Sequence, residues 1–189
     1  VRFLTVFIAA AFWAVGAFAQ LQPLPEDPEN TLIMRLKDGV VVIEMRPDLA
    51  PNHVKRIKEL VRKGFYDGAP FHRVIPGTIA QTGDPTGTGL GGSGQKIKAE
   101  FSDAHHMRGI VSMARADDID SADSQFFIVL RPMPDFDRRY TIWGRVMRGM
   151  EFVNHIETGD PESGKVIDPD RIVSLKVQAD VQKAASARH

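Results

Sequence analysis

Arg73 and Gln81 are the residues whose types and spacing first suggest chemistry in this chain. They lie in Phe71 to Asp84, Phe-His-Arg-Val-Ile-Pro-Gly-Thr-Ile-Ala-Gln-Thr-Gly-Asp, which reads as two short strands, Phe71 to Ile75 and Thr78 to Gln81, folded back at Pro76-Gly77. Alternation along a strand sends Phe71, Arg73 and Ile75 to one face and His72 and Val74 to the other. Arg73 is therefore expected among large apolar side chains. Taken alone, such an arginine is more often a surface residue whose stem covers apolar area. A second stretch, Gly109 to Leu130, changes that balance. It opens with Gly-Ile-Val-Ser-Met-Ala-Arg-Ala and ends with Ser-Gln-Phe-Phe-Ile-Val-Leu. Gln125, Phe127 and Val129 share one face of its last strand, and Phe126, Ile128 and Leu130 share the other. A barrel strand buries one face in the core, so its second apolar face must lie under a helix, a partner or a substrate pocket.

The elements that must position these residues are mostly short strands. Thr31 to Leu36 and Val40 to Met45 flank Asp38-Gly39, a tight-hairpin pair. Ile97 to Phe101, Ile110 to Ala114, Tyr140 to Val146 and Ile172 to Val177 complete the strand set. A helix starts at Pro51, carries Val54, Ile57, Leu60 and Val61 at helical spacing, and stops at Gly64. A shorter one runs from Gly149 to Ile156. About eight sequential strands with two helices predict a mainly β protein, a closed eight-stranded antiparallel barrel whose ends the helices cap.

Other patterns are weaker. Gly87, Gly89 and Gly92 match a dinucleotide-binding spacing, but no helix opens at the third glycine and no β-α-β unit surrounds it, so they read as turns of a long loop. His53 reads as a surface or boundary residue, and His105-His106 as a solvent-exposed pair without partner carboxylates at metal-site spacing. Asp117 to Asp123 lacks the glycine and terminal glutamate of a calcium loop and reads as a solvated turn. No metal and no cofactor is expected.

Twenty-four basic residues balance twenty-four acidic ones, so no overall field favours nucleic acid or anionic membrane, and a polypeptide partner fits better. The chain has no cysteine, which excludes disulfides and thiolate chemistry. Phe3 to Phe18 carries no charge, and Ala17-Phe18-Ala19 places small residues where a signal peptidase reads them. Residues 1–19 are accordingly expected to be a signal peptide cut before Gln20, with an uncleaved anchor as the alternative. Residues 20–30, with Pro23, Pro25 and Pro28, read as an extended linker, 31–178 as the folded domain and 179–189 as a flexible tail.

The blocks Phe-His-Arg-Val-Ile-Pro-Gly, Gln-Thr-Gly-Asp, Ser-Met-Ala-Arg and Ser-Gln-Phe-Phe-Ile together resemble the cyclophilins, a family of peptidyl-prolyl cis-trans isomerases, in order and spacing over roughly Asn30 to Val177. The resemblance implies a barrel of eight strands with two capping helices and an activity on X-Pro bonds. It implies Arg73 and Gln81 as catalytic residues, and Phe127 as an apolar pocket floor lined by Ile79, Phe136 and Tyr140. Ala114 and Arg115 would lie along the segment preceding the proline, and Phe71, Thr78 and Gln125 complete the expected binding set. Clients would be unfolded or folding proline-containing polypeptides met in the periplasm or outside the cell, by a monomer free of the membrane once its signal is cut.

Several positions depart from the family pattern. Thr78 replaces a phenylalanine and Ile79 a methionine, which leaves one pocket wall smaller; Asp135 replaces a tryptophan and Tyr140 a histidine, which implies weak cyclosporin binding. Thr78 keeps open the alternative of a non-catalytic module or holdase for proline-containing segments.

Overall fold

The structure of the protein, a computed structural model, describes residues 26–187. The apolar run 3–18 and the expected cleavage position lie outside the described residues, as does most of the proline-rich stretch. Among the described residues no helix is long and apolar enough to cross a membrane.

Eight strands form one antiparallel sheet: β1 (Thr31–Arg35), β2 (Val40–Met45), β3 (Arg73–Ile75), β4 (Ile79–Thr82), β5 (Ile110–Met113), β6 (Phe126–Val129), β7 (Ile142–Arg148) and β8 (Ser174–Val177). Their order is β3-β4-β6-β5-β7-β2-β1-β8. The sheet curls until its edges face each other. As a hydrogen-bonded object it is a curled sheet and not a continuous cylinder, because β3 and β8 meet through loops. Pro70 pairs once with Arg171 and Arg73 once with Lys165. Proline lacks a donor, which stops a ladder from forming at Pro70; the join is made instead by Phe71 N–H to the Asp170 carbonyl at 2.8 Å and Gly68 N–H to that of Ile172 at 2.7 Å.

The concave face holds the main core, including Leu32, Ile43, Val74, Ala80, Val111, Phe126, Ile128 and Trp143. Trp143, Phe126 and Tyr66 interlock edge to face, with centroids 5.3 and 5.5 Å apart, a geometry favoured by the ring quadrupoles. Helix α1 (Pro51–Arg62) lays Val54, Ile57, Leu60 and Val61 on this core, and the shorter α2 (Met150–Asn154) adds Val153. Gly83 has φ of +91°, and a Cβ there would stand 2.5 Å from the Ser124 carbonyl oxygen, so only glycine lets the chain after β4 pass that close to β6.

The helix start explains one departure from expectation. His53 is fully buried instead of lying at the surface. Ala50, the residue before α1, has no side chain that could satisfy the free N–H groups of the first turn. Glu100 supplies the cap from 48 residues away: its carboxylate accepts from Asn52 N at 3.1 Å and His53 N at 3.0 Å, and lies 2.6 Å from His53 Nδ1. The segment Ile97 to Phe101 is accordingly not a strand. Ile97 makes a single bridge to Ala122, and the donors that follow go to side chains, Ala99 N–H to Asp120 and Glu100 N–H to the Thr141 hydroxyl.

The ends also differ. Pro28–Asn30 is a turn of 3-10 helix whose Asp27 cap accepts from Glu29 N and Asn30 N, so this part of the presumed linker belongs to the body. Much of the stretch 179–189, expected to be a flexible tail, belongs to a third helix, α3 (Gln178–Ser186). Its first turn is held by burial of Gln178, packing of Ala179 on the core and an Arg62–Asp180 ion pair of 3.0 Å, none of which its own weak apolar pattern announces.

Candidate active site

The site grows out of strand register. Arg73 on β3 pairs with Gln81 on β4, Gln81 with Phe127 on β6, and Phe127 with Ser112 on β5. Residues directly opposite one another in an antiparallel sheet face the same side. This row therefore stands on the convex face, away from the main core. Strands lie about 4.8 Å apart, which sets the Arg73 and Phe127 backbones about 10 Å apart with one strand between them.

Around Phe127, which is 2% exposed, a second apolar cluster gathers Ile79 and Val129 with half-buried Ile75, Ile110, Ala114, Met133, Phe136 and Tyr140. The aromatic part is tightly ordered. Phe136 and Tyr140 meet the Phe127 ring edge to face at 5.6 and 5.5 Å and each other at 5.0 Å. Phe136 arrives on the 3-10 turn Pro134–Phe136, and Tyr140 just before β7. This half-open apolar recess is the reason the second face of β6 could be as greasy as the first.

A polar chain runs along its border. Arg73 Nη1 donates to Gln81 Oε1 at 3.2 Å, Gln81 Nε2 to Gln125 Oε1 at 2.9 Å, and Gln125 Nε2 to the carbonyls of Gly89 and Gly91 at 3.0 and 2.8 Å. Arg73 Nε is held by the Ser163 carbonyl at 3.1 Å. That carbonyl belongs to a loop clipped to β3 by Val74 N–H to Gly164 O at 2.7 Å and Gly159 N–H to Val74 O at 2.9 Å. Gly164 is at φ +74°, and a Cβ would meet Ile75 at 2.7 Å, so the loop lies flat against β3 only as glycine. Two of the five guanidinium N–H donors are thus used, and three remain for a ligand.

Beyond Gln125 lies a second recess of about 320 Å³, lined by Gln81, Gly89, Gly91, Lys96, Ala114, Arg115, Ala116 and Gln125 among others. Arg115 stands 5.1 Å over the Tyr140 ring and donates to the carbonyls of Arg139, Ala116 and Asp117. The glycine-rich wall is organised by Asp84. Burial pushes its carboxyl up, but donors from the Thr86 hydroxyl and the Gly91, Thr86 and Gly89 N–H groups outweigh this and hold it at about 2.

The expected residues are not all here. Ile79, Ala114, Gln125, Phe127, Phe136 and Tyr140 come together with Arg73 and Gln81, and Arg115 borders them. Phe71 does not: it precedes β3, is 0% exposed and sits in the main core, because strand alternation begins only at Arg73. Thr78 lies half-buried in the turn between β3 and β4, its hydroxyl donating to the Pro76 carbonyl oxygen at 3.3 Å.

His106 was missed. Expected in solvent beside His105, it is 1% exposed, stacks parallel to Phe127 at 6.5 Å and meets the Phe136 edge at 5.9 Å. Its Nδ1 lies 2.9 Å from Asp137 Oδ1 and its Nε2 3.1 Å from Ser112 Oγ. The connectivity is that of a nucleophilic triad, but Ser112 is 0% exposed on the row beside Phe127, so no substrate atom can reach its hydroxyl. The imidazole is a rigid backing for the recess. Burial lowers its proton affinity more than Asp137 restores it, so it is neutral near pH 7. Nothing in the local sequence reveals it, because Asp137 lies 31 residues away.

A curled antiparallel sheet thus carries an arginine, a glutamine and a phenylalanine in register beside an apolar cluster. The family described as cyclophilin type peptidyl-prolyl cis-trans isomerase/CLD matches residues 31–177. A probable peptidyl-prolyl cis-trans isomerase of Brucella suis is 46% identical over 187 residues, covering 92% of this chain and 95% of that one. Peptidyl-prolyl cis-trans isomerase B of Bacillus subtilis is 44% identical over 128 residues, 66% of this chain and 89% of that one. Among solved structures, a cyclophilin from Hirschia baltica superposes with a TM-score of 0.73 at 29% identity over 82% of this chain and 76% of that one. A cyclophilin-type isomerase of Cryptosporidium parvum, crystallised in the presence of the dipeptide Ala-Pro, gives 0.72 at 31% identity over 78% of this chain and 98% of that one. The chain belongs to the cyclophilin-type peptidyl-prolyl cis-trans isomerases, and its substrates are proline-containing polypeptides.

Proposed function

We propose that this isomerase accelerates slow X-Pro steps in the folding of exported proteins, with Arg73 as the catalytic donor and Phe127 as the floor of the proline pocket. The in-register row Arg73, Gln81, Phe127 carries the reading of the site. Rotation about an X-Pro bond breaks no σ bond; amide resonance opposes it with a barrier of roughly 18 to 20 kcal/mol. A proline ring seated on Phe127, between Ile79 and the Phe136–Tyr140 pair, would be fixed while the preceding residue swings. One of the three free Arg73 donors would then meet the prolyl nitrogen as it becomes pyramidal. Gln81 would keep the guanidinium aimed and offer its amide to the substrate backbone. The segment before the proline would run past Ala114 and Arg115 into the second recess.

Magnitudes divide the work. Moving exchange from tens of seconds to milliseconds requires removing about 5 to 7 kcal/mol. A hydrogen bond to a charged group contributes about 1.5 to 3 kcal/mol. The rest falls to the pocket, whose low polarity disfavours the charge-separated planar amide.

Export is supported by the uncharged run 3–18 followed by Ala17-Phe18-Ala19. Mass spectrometry of the protein recovered outside the cytoplasm should give a chain starting at Gln20; an intact run in a membrane fraction would replace export of a free protein with an anchored form. The non-catalytic alternative rests on Thr78, which lies half-buried in the turn between β3 and β4. A proline-limited refolding reaction is the test of the site. Wild type should accelerate it and Arg73→Ala should do so far less; equal rates for the two would end this account.

A further inference from the structure

Next to the second recess, and sharing Lys96 with it, lies a separate hollow of about 370 Å³ lined by Asn52, Lys55, Arg56, Glu59, Gln95, Lys96, Ile97 and Lys98. Its charge is lopsided in a chain that is neutral overall. Four cations face one lining carboxylate, Glu59, which is already 3.3 Å from Arg56 Nη1. Glu100, close by, is spent on the first turn of α1. Lys55, Lys96 and Lys98 are exposed and make no ion pair among the described residues.

Arg56 is unlike a surface arginine. Its side chain is 10% exposed, Nη2 donates to Ser93 Oγ at 2.8 Å, and Nε is buried without a partner. Ser93 is in turn bound to Asp123, whose carboxylate also accepts from the N–H groups of Ser93 and Gly94. The wall between the two hollows is therefore a fixed ridge, Arg56–Ser93–Asp123, with Lys96 reachable from both sides. Burying a guanidinium with an unsatisfied donor is costly unless something compensates the charge.

We propose that this hollow is an extended subsite for acidic client segments, holding aspartate or glutamate side chains that lie on the amino-terminal side of the isomerised proline. The proposal rests on the reading of Ala114, Arg115 and the second recess as the path of the chain preceding the proline. A segment leaving that recess passes Lys96 and reaches Lys55 and Lys98. At 3.3 to 3.6 Å per extended residue, carboxylates roughly four to eight residues before the proline would reach it. The protein then selects clients by charge at a distance from the bond it turns.

The test uses fluorescein-labelled fourteen-residue peptides with one X-Pro bond, read by anisotropy on the full mature protein. One carries three glutamates before the proline, one carries three glutamines there, and one carries the glutamates after the proline. The first should bind roughly five- to twentyfold more tightly than the other two at low ionic strength, with the gain lost in about 0.5 M salt and in the double variant Lys55→Gln, Lys98→Gln. Equal affinity of the first two peptides, equal gain with glutamates on either side, or an unchanged gain in the double variant would overturn it. So would a single-stranded oligonucleotide of equal charge that binds more tightly than the acidic peptide, which would mark a polyanion site. NMR exchange at the X-Pro bond of the same peptides separates the two readings: absent catalysis with the charge preference intact would remove the proposed mechanism and leave the subsite.

Discussion

At the scale of single residues, the site consists of one charged donor and the groups that aim it. Arg73 is tied to Gln81 and to the Ser163 carbonyl, so its orientation is set before a ligand arrives. Replacing it with alanine should lower kcat/KM roughly ten- to hundredfold, the kinetic equivalent of one charge-assisted hydrogen bond, with the fold unchanged by circular dichroism. His106 acts on the other half. His106→Ala would empty the space behind Phe127 and leave Ser112 and Asp137 without their ring partner, at about 1 to 3 kcal/mol in stability. Because the ring backs the floor and does not face the prolyl nitrogen, KM should rise several-fold while kcat changes less; steady-state kinetics on one X-Pro peptide would show it. Asp135, exposed on the 3-10 turn beside Phe136, offers no aromatic face to a bulky macrocycle. Cyclosporin should inhibit weakly, and inhibition at nanomolar concentration would contradict that expectation.

At the scale of elements, strands fix the row Arg73, Gln81 and Phe127 and loops fix its surroundings. The wall from Gly83 to Gly94 has little apolar content, and Asp84 takes the place of a core by gathering five donors. The carboxyl is held at about 2 in the folded protein against an ordinary 3.8, worth about 2 kcal/mol. Its pKa is depressed, so that stability is present above about pH 4 and lost as pH falls toward 2. Urea unfolding at pH 5, 3.5 and 2.5 should show wild type losing stability faster than Asp84→Asn, which begins less stable but has no carboxylate to protonate.

For the molecule as a whole, two apolar clusters back the two faces of one sheet: the concave side holds the main core and the convex side carries the row Arg73, Gln81 and Phe127. The third helix meets the main cluster at its first turn. Its hold through Ala179 and the exposed Arg62–Asp180 pair is weak, about 1 kcal/mol. Deleting residues 179–189 should lower Tm by about 2 to 4 °C and leave isomerase turnover as it was, measured by differential scanning fluorimetry and a coupled peptide assay. A large loss of activity would mean that this helix supports the site across the sheet.

The alternation of Arg73, Gln81 and Phe127 with the core residues beside them was written in the sequence, since a period of two determines which side of a strand a residue takes. The eight strands, both main helices and the greasy second face of β6 followed from the same local rules. What the tertiary structure alone decided depends on partners far apart in the chain. Glu100 caps α1 and so buries His53; Asp137 draws His106 beneath Phe127; Arg62 and the core hold α3; Phe71 turns inward because its strand begins two residues later. Each is a long-range polar or packing contact, and a local pattern of residues carries no record of what will stand opposite it once the sheet has curled.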